Sequence, residues 1–103
     1  MTKAECYFVE IAESIPTSTM GNMLGSLCVK NAKGVSFAMM WQNELVVKLD
    51  KNEIVNVQKL KGTKLFEPKE GKPMKEWMQI PFLYSKQWKT LTEKSFDLVA
   101  LKN

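Results

Sequence analysis

Two apolar runs joined by only two residues restrict the fold of this chain more than any other sequence feature. The runs are VSFAMMW (35–41) and ELVVKL (44–49), and Gln42 and Asn43 lie between them. So short a connection joins two neighbouring strands only if they are antiparallel. We therefore predict a β-hairpin here and an antiparallel sheet around it.

A further strand is predicted immediately before this hairpin. The run MLGSLCVK (23–30) is followed by NAKG (31–34), a turn sequence that ends in glycine. Together with the hairpin it forms a predicted meander of three strands. The segment PTSTMGN (16–22), which precedes the run, is interpreted as a polar connector.

A second hairpin is predicted nearer the C-terminus. KLFE (64–67) and MKEWMQI (74–80) are its strands. The loop between them contains Pro68 and Pro73, which lack the amide that strand pairing needs, and Gly71, which tolerates the backbone of a turn.

Apolar residues at helical spacing predict three helices. The first covers residues 3–14 and begins at a capping box headed by Thr2. The second follows Asp50, a natural N-cap, and ends before Gly62. The third starts at about Ser85. The order α-β-β-β-α-β-β-α predicts one α+β domain over residues 1–103, with helices and an antiparallel sheet in two layers.

The composition excludes several classes of site. The chain has no histidine and no arginine, and its two cysteines are far apart. Histidine-dependent catalytic triads, cysteine–histidine pairs and zinc sites are therefore excluded. No glycine-rich phosphate-binding motif occurs. We predict no enzyme activity, no cofactor and no metal.

The N-terminal residues contain glutamates where a signal peptide needs an apolar centre. No apolar run approaches the ~20 residues of a membrane-spanning helix. We therefore expect a cytoplasmic protein that does not enter a membrane.

The predicted sheet has two apolar faces. With a two-residue turn, one face carries Ala38, Met40, Leu45, Val47 and Leu49, which predicts the core beneath the helices.

The opposite face carries the candidate interface, Phe37, Met39, Trp41 and Val46, and a four-residue NAKG loop would add Leu24 and Cys28. It is too apolar to remain in water. Three alternatives stay open: the third helix covers it, a second copy of the chain covers it, or a protein partner or ligand binds there.

Lysines concentrate in residues 59–75, a segment with six lysines and two glutamates that carries the whole formal net charge of +4. The candidate basic patch consists of Lys64, Lys69, Lys72 and Lys75. Such a patch can attract nucleic acid. The competing interpretation is a solvated loop whose lysines protect a sheet edge from pairing.

The sequence also resembles the N-terminal domain of the TfoX/Sxy family. GSLCVKNAKGVSFAMMWQNELVVKL resembles its central strands, and LFEPKEGKPMKEWMQIP resembles its downstream motif. The matching positions of that motif are Phe66, Pro68, Gly71, Pro73, Met74, Lys75, Trp77 and Pro81. The resemblance runs from about Leu24 to the last helix.

The resemblance implies helices on one face of an antiparallel sheet, as in type III secretion chaperones, and a setting in bacterial competence regulation. The regulators of this family carry a second, helical domain, which the present sequence lacks, and no catalytic residue is carried over. Sequence and resemblance together predict a non-catalytic binding domain. It acts as a homodimer or with a protein partner through the candidate interface, and nucleic-acid binding through the basic patch is the alternative.

Overall fold

The chain folds as an α+β domain with a six-stranded antiparallel sheet, seen in a computed structural model that describes residues 1–102. The sheet order is β1-β2-β3-β4-β6-β5. A short 3₁₀ turn, Phe82–Tyr84, leads into the last helix. The elements are α1 Lys3–Glu13, β1 Thr19–Met23, β2 Ser26–Lys30, β3 Ser36–Trp41, β4 Glu44–Lys48, α2 Lys51–Gln58, β5 Lys64–Leu65, β6 Trp77–Ile80 and α3 Ser85–Lys102.

The predicted caps are confirmed at both of the first two helices. The Thr2 hydroxyl accepts a hydrogen bond from the Glu5 amide at 3.1 Å, and the Thr2 amide donates to Glu5 Oε1 at 2.8 Å. At α2, Asp50 Oδ1 accepts from the Glu53 amide at 2.9 Å. These bonds satisfy amides that have no partner inside the helix.

The hairpin between β3 and β4 is also confirmed. Gln42 and Asn43 both have positive φ, 51° and 65°, as a two-residue turn of type I′ requires. Trp41 pairs with Glu44, and Ala38 pairs with Val47. The predicted core face follows from this register.

All three helices pack on that face of the sheet, which we call the helix side. Phe8 of α1, Val57 of α2 and Trp88 of α3 are buried in the cluster that also contains Leu45 and Val47. All five residues predicted for this face belong to the cluster.

The single strand predicted over residues 23–30 is wrong in extent, because these residues include the turn of a hairpin and most of its second strand. β1 (Thr19–Met23) pairs antiparallel with β2 (Ser26–Lys30), and Leu24 and Gly25 form the turn between them. Both turn residues have positive φ, 55° and 76°. Part of the segment interpreted as a connector is therefore the first strand of the sheet.

One side chain of α3 is built into the sheet. Ser95, fully buried, accepts a hydrogen bond from the Lys48 amide at 3.1 Å and donates one to the Phe37 carbonyl at 2.5 Å. Its hydroxyl therefore bridges β3 and β4 where their direct pairing ends. This contact fixes α3 against the two central strands.

Candidate functional site

The face of the sheet opposite the helices, the second face, is sealed by the chain itself. Its central side chains Cys28, Met39 and Val46 have no exposed surface. Phe66, also fully buried, packs against them, and Met74 and Trp77 lie at the edge of the same cluster. We call residues 66–77 the cover segment.

Main-chain hydrogen bonds hold the two ends of the cover segment together and join it to the residue that follows β4. The Phe66 amide donates to the Trp77 carbonyl at 2.9 Å, and the Met74 amide donates to the Phe66 carbonyl at 2.8 Å. The Leu49 amide donates to the Glu76 carbonyl at 2.8 Å.

The second predicted hairpin is present, but its strands are shorter than predicted, Lys64–Leu65 and Trp77–Ile80. Phe66 and Met74, predicted as strand residues, lie outside these strands and fold back over the second face.

This geometry corrects the candidate interface. Met39 and Val46 do lie on the second face, but the cover segment removes them from water, so they form no docking surface. None of the three alternatives for covering that face anticipated this segment. Trp41 remains partly exposed and lines a groove with Lys64 and Gln79.

Phe37 is placed on the wrong face by the sequence argument. Cys28 pairs with Met39, but Lys30 pairs with Ser36, so the register shifts by one residue. A bulge of this kind turns a side chain that simple alternation would assign to the other face. Phe37 therefore packs on the helix side, where the centroid of its ring lies 5.1 Å from that of Phe96 on α3.

Leu24, which was expected on the second face, lies instead at the β1–β2 turn and is 55% exposed. Cys28 does lie on the second face, as expected.

The four lysines of the basic patch are all exposed. Lys64 lies on β5 opposite Gln79, whereas Lys69 and Lys72 flank a turn in which Gly71 has a φ of 78°. Lys75 follows in the same cover segment. The structure therefore places the patch on the outer surface of the cover segment and on the adjoining sheet edge.

The free edge of β1 is the feature that the sequence argument missed. Among residues 1–102, β1 pairs with β2 on one side and with no strand on the other. In a two-residue hairpin the residues that flank the turn exchange both hydrogen bonds, and such pairs alternate along the ladder. Met23, Gly21 and Thr19 therefore bond to β2.

The same alternation directs the main-chain N–H and C=O groups of Met20 and Asn22 away from the sheet. Both residues are exposed, and the Met20 side chain is 40% exposed. The glycine at position 25, directly before the predicted strand core, is the signal that could have revealed this hairpin.

A cation lies beside this edge on the second face. A Cβ atom built on Gly21 would lie 3.1 Å from Lys30 Cε and 3.4 Å from Lys30 Nζ. The end of the Lys30 side chain thus lies over Gly21, the residue of β1 that has no side chain of its own. Residues 19–30 contain no other charged residue.

Within residues 1–102, no group of three or more histidine, cysteine or acidic side chains is arranged to hold a metal ion. Over the same residues, no helix has the length and apolarity needed to cross a bilayer. The hydrogen bond from the Thr2 amide holds the pKa of the Glu5 carboxyl below its ordinary value.

Comparisons of the chain with protein-family models, with curated proteins and with solved structures found no match.

Proposed function

We propose that this chain is a non-catalytic protein-binding domain that accepts an extended strand of its partner along the free edge of β1. The observation that carries the proposal is the pair of outward main-chain sites at Met20 and Asn22. They offer two N–H donors and two C=O acceptors at the spacing of an antiparallel ladder.

The composition of β1 supports this proposal. Natural edge strands are usually protected by charged side chains, by proline or by a very short length. β1 has five residues, TMGNM, and contains neither a charge nor a proline. The opposite edge, β5, has only two residues. Addition of a strand draws its affinity from main-chain hydrogen bonds, and β1 is the edge suited to it.

We further propose that the domain is of the TfoX/Sxy N-terminal type and acts in the cytoplasm, in transcriptional regulation. What supports the relationship is the role of the motif residues in this fold. Phe66 is the buried centre of the cover segment, and Met74 and Trp77 pack beside it. Gly71, with positive φ, allows the turn within this segment. The motif thus coincides with the segment that completes the second face.

The proposed edge can be tested by NMR with ¹⁵N-labelled protein and a capped, neutral strand-forming peptide, TTVQVTT. We expect the amides of Met20 and Asn22 to exchange quickly with solvent in the free protein, and to shift and gain protection as peptide is added. Gly21 and Met23, bonded to β2, are already protected in the free protein.

A matched pair of variants separates the main chain from the side chain. Met20→Pro removes an outward N–H without removing a β1–β2 bond, and Met20→Ala keeps that N–H. We expect only the proline variant to abolish the peptide-induced shifts, with the resonances of Phe66 and Trp88 unchanged in both. Peptide-induced shifts confined to other parts of the sheet, or equal binding by both variants, would contradict the proposal.

A second candidate function is nucleic-acid binding by the basic patch, and it is favoured by the exposure of all four lysines on and beside the cover segment. It predicts retention on DNA or RNA that falls steeply with salt. Lys72→Glu with Lys75→Glu should weaken that retention.

The matched control for the nucleic-acid candidate is Lys86→Glu with Lys89→Glu, the same charge change on exposed positions of α3. Retention that responds equally to both double variants would indicate a general charge effect and dispose of a dedicated site.

A further inference from the structure

We infer that the strand accepted at β1 is an acidic segment of another protein, with a carboxylate opposite Gly21, and not a second copy of this chain. This inference rests on the proposed function and specifies the chemistry of its partner. It is carried by the position of Lys30 relative to the free edge.

The Lys30 side chain brings a positive charge to the outer strand of the sheet. Its Cε and Nζ lie over Gly21, at 3.1 and 3.4 Å from where a Cβ would stand. Lys30 lies on β2, where it pairs with Thr19 of β1, and its ammonium reaches over Gly21 on the second face. The residue of an incoming strand that lies opposite Gly21 points to that same face, because paired residues share a face.

Gly21 makes this arrangement accessible to an incoming strand. With no side chain at the centre of β1, nothing from β1 itself separates the lysine from the residue opposite Gly21. A glutamate or aspartate there meets the ammonium directly, and the attraction between opposite charges at close range is stabilising. No second charge on residues 19–30 competes for it.

Self-pairing of β1 is disfavoured by the same lysine. A symmetric antiparallel pair that uses both outward sites places Gly21 against Gly21 of a second copy. The two Lys30 ammonium groups then lie near each other over the dyad on one face, and like charges at close range repel. The edge therefore discriminates against its own copy and in favour of an acidic strand.

The helix side of the same edge supplies apolar contact. Met20 pairs with Val29, a core residue of that side, and is 40% exposed. The residues that flank the carboxylate in the partner point toward this side, so β-branched apolar residues suit those positions. The partner segment is thus an extended stretch with an acidic centre between two apolar residues.

The test compares three capped peptides that differ only at the centre, TTVEVTT, TTVQVTT and TTVKVTT, by titration of the Met20 and Asn22 amides. For the native chain we expect the glutamate peptide to bind about two- to five-fold more tightly than the glutamine peptide, and the lysine peptide to bind most weakly. The preference should diminish as salt is added.

Reversal of the charge on the protein provides the matched control. Lys30→Glu should invert the order, so that the lysine peptide binds best, and Lys30→Met should bind all three peptides alike. Equal affinities of the native chain for all three peptides, with binding still abolished by Met20→Pro, would overturn the acidic partner and leave strand addition standing.

Dimerisation of the chain and a failure of every peptide to bind would each lead to a different conclusion. Dimerisation in a sedimentation equilibrium series, abolished by Met20→Pro, would support strand addition but overturn the inference, because the occupant would be a second copy. Failure of every peptide to affect the Met20 and Asn22 amides would overturn the proposed function itself.

Discussion

The ring of Phe66 meets the indole of Trp41 edge to face, with centroids 5.2 Å apart and planes at 72°. This contact joins the cover segment to the end of β3 and closes the second face. Edge-to-face aromatic pairs are stabilising beyond the area that they bury.

Replacement of the central residue of the cover segment should therefore destabilise the domain strongly. We expect Phe66→Ala to lower the free energy of unfolding by about 3–5 kcal/mol, because a fully buried ring leaves a cavity beside Met39 and Val46. Urea denaturation followed by tryptophan fluorescence measures this. Leu83→Ala, at a position that is 80% exposed, is the control and should change the value by less than about 0.5 kcal/mol.

The Ser95 hydroxyl should contribute more to the free energy of unfolding than its small size suggests. Ser95→Ala leaves the Lys48 amide and the Phe37 carbonyl without their partner. The expected cost is about 1–3 kcal/mol for an unsatisfied buried group. Thr92→Val is the matched control, since that hydroxyl donates to the Trp88 carbonyl of its own helix. Equal losses in the two variants would show that Ser95 does not act through the sheet.

The turn between β1 and β2 contains a residue that is poorly suited to it. Leu24 has a φ of 55°, and a leucine in this region costs about 1–2 kcal/mol. Leu24→Asn creates the Asn-Gly pair that type I′ turns prefer. We expect it to stabilise the domain by about 1 kcal/mol in thermal or urea denaturation. Leu83→Asn, an exposed leucine with no positive φ, should give no such gain.

The N-terminus of α1 should depend on pH through Glu5. The Thr2 amide holds the pKa of its carboxyl below the ordinary value of 4.5, so ionised Glu5 is favoured in the folded chain. This stabilisation is fully present above 4.5 and is lost as the pH falls through the lower, folded-state pKa. The stability difference between the native chain and Glu5→Gln should therefore shrink on acidification. A difference that is constant from pH 7 to pH 3 would contradict this role.

The sequence predicted those elements whose signals are local. The capping box at Thr2, the N-cap at Asp50 and the turn at Gln42 and Asn43 each act within a few residues, and the structure contains all three. The helix-side face was predicted because the register of one hairpin determines which side chains share a face.

The candidate site was predicted poorly because its determinants are not local. A register shift near Lys30 turns Phe37 to the helix side, and alternation cannot reveal a bulge. Leucine at position 24 does not signal a turn, so β1 went unrecognised. The cover of the second face comes from Phe66, twenty positions after Val46, and only the folded chain brings the two together.

Because the cover segment follows the first four strands in the sequence, the second face has no cover during part of synthesis. Residues 19–48 contain strands β1 to β4, and they leave the ribosome before either the cover segment or α3. Until Phe66 and Trp77 emerge, Met39 and Val46 face solvent, and until α3 emerges the helix side is also incomplete. Fragments that end before Phe66 should therefore be prone to aggregation and should engage chaperones, whereas the finished chain conceals both faces.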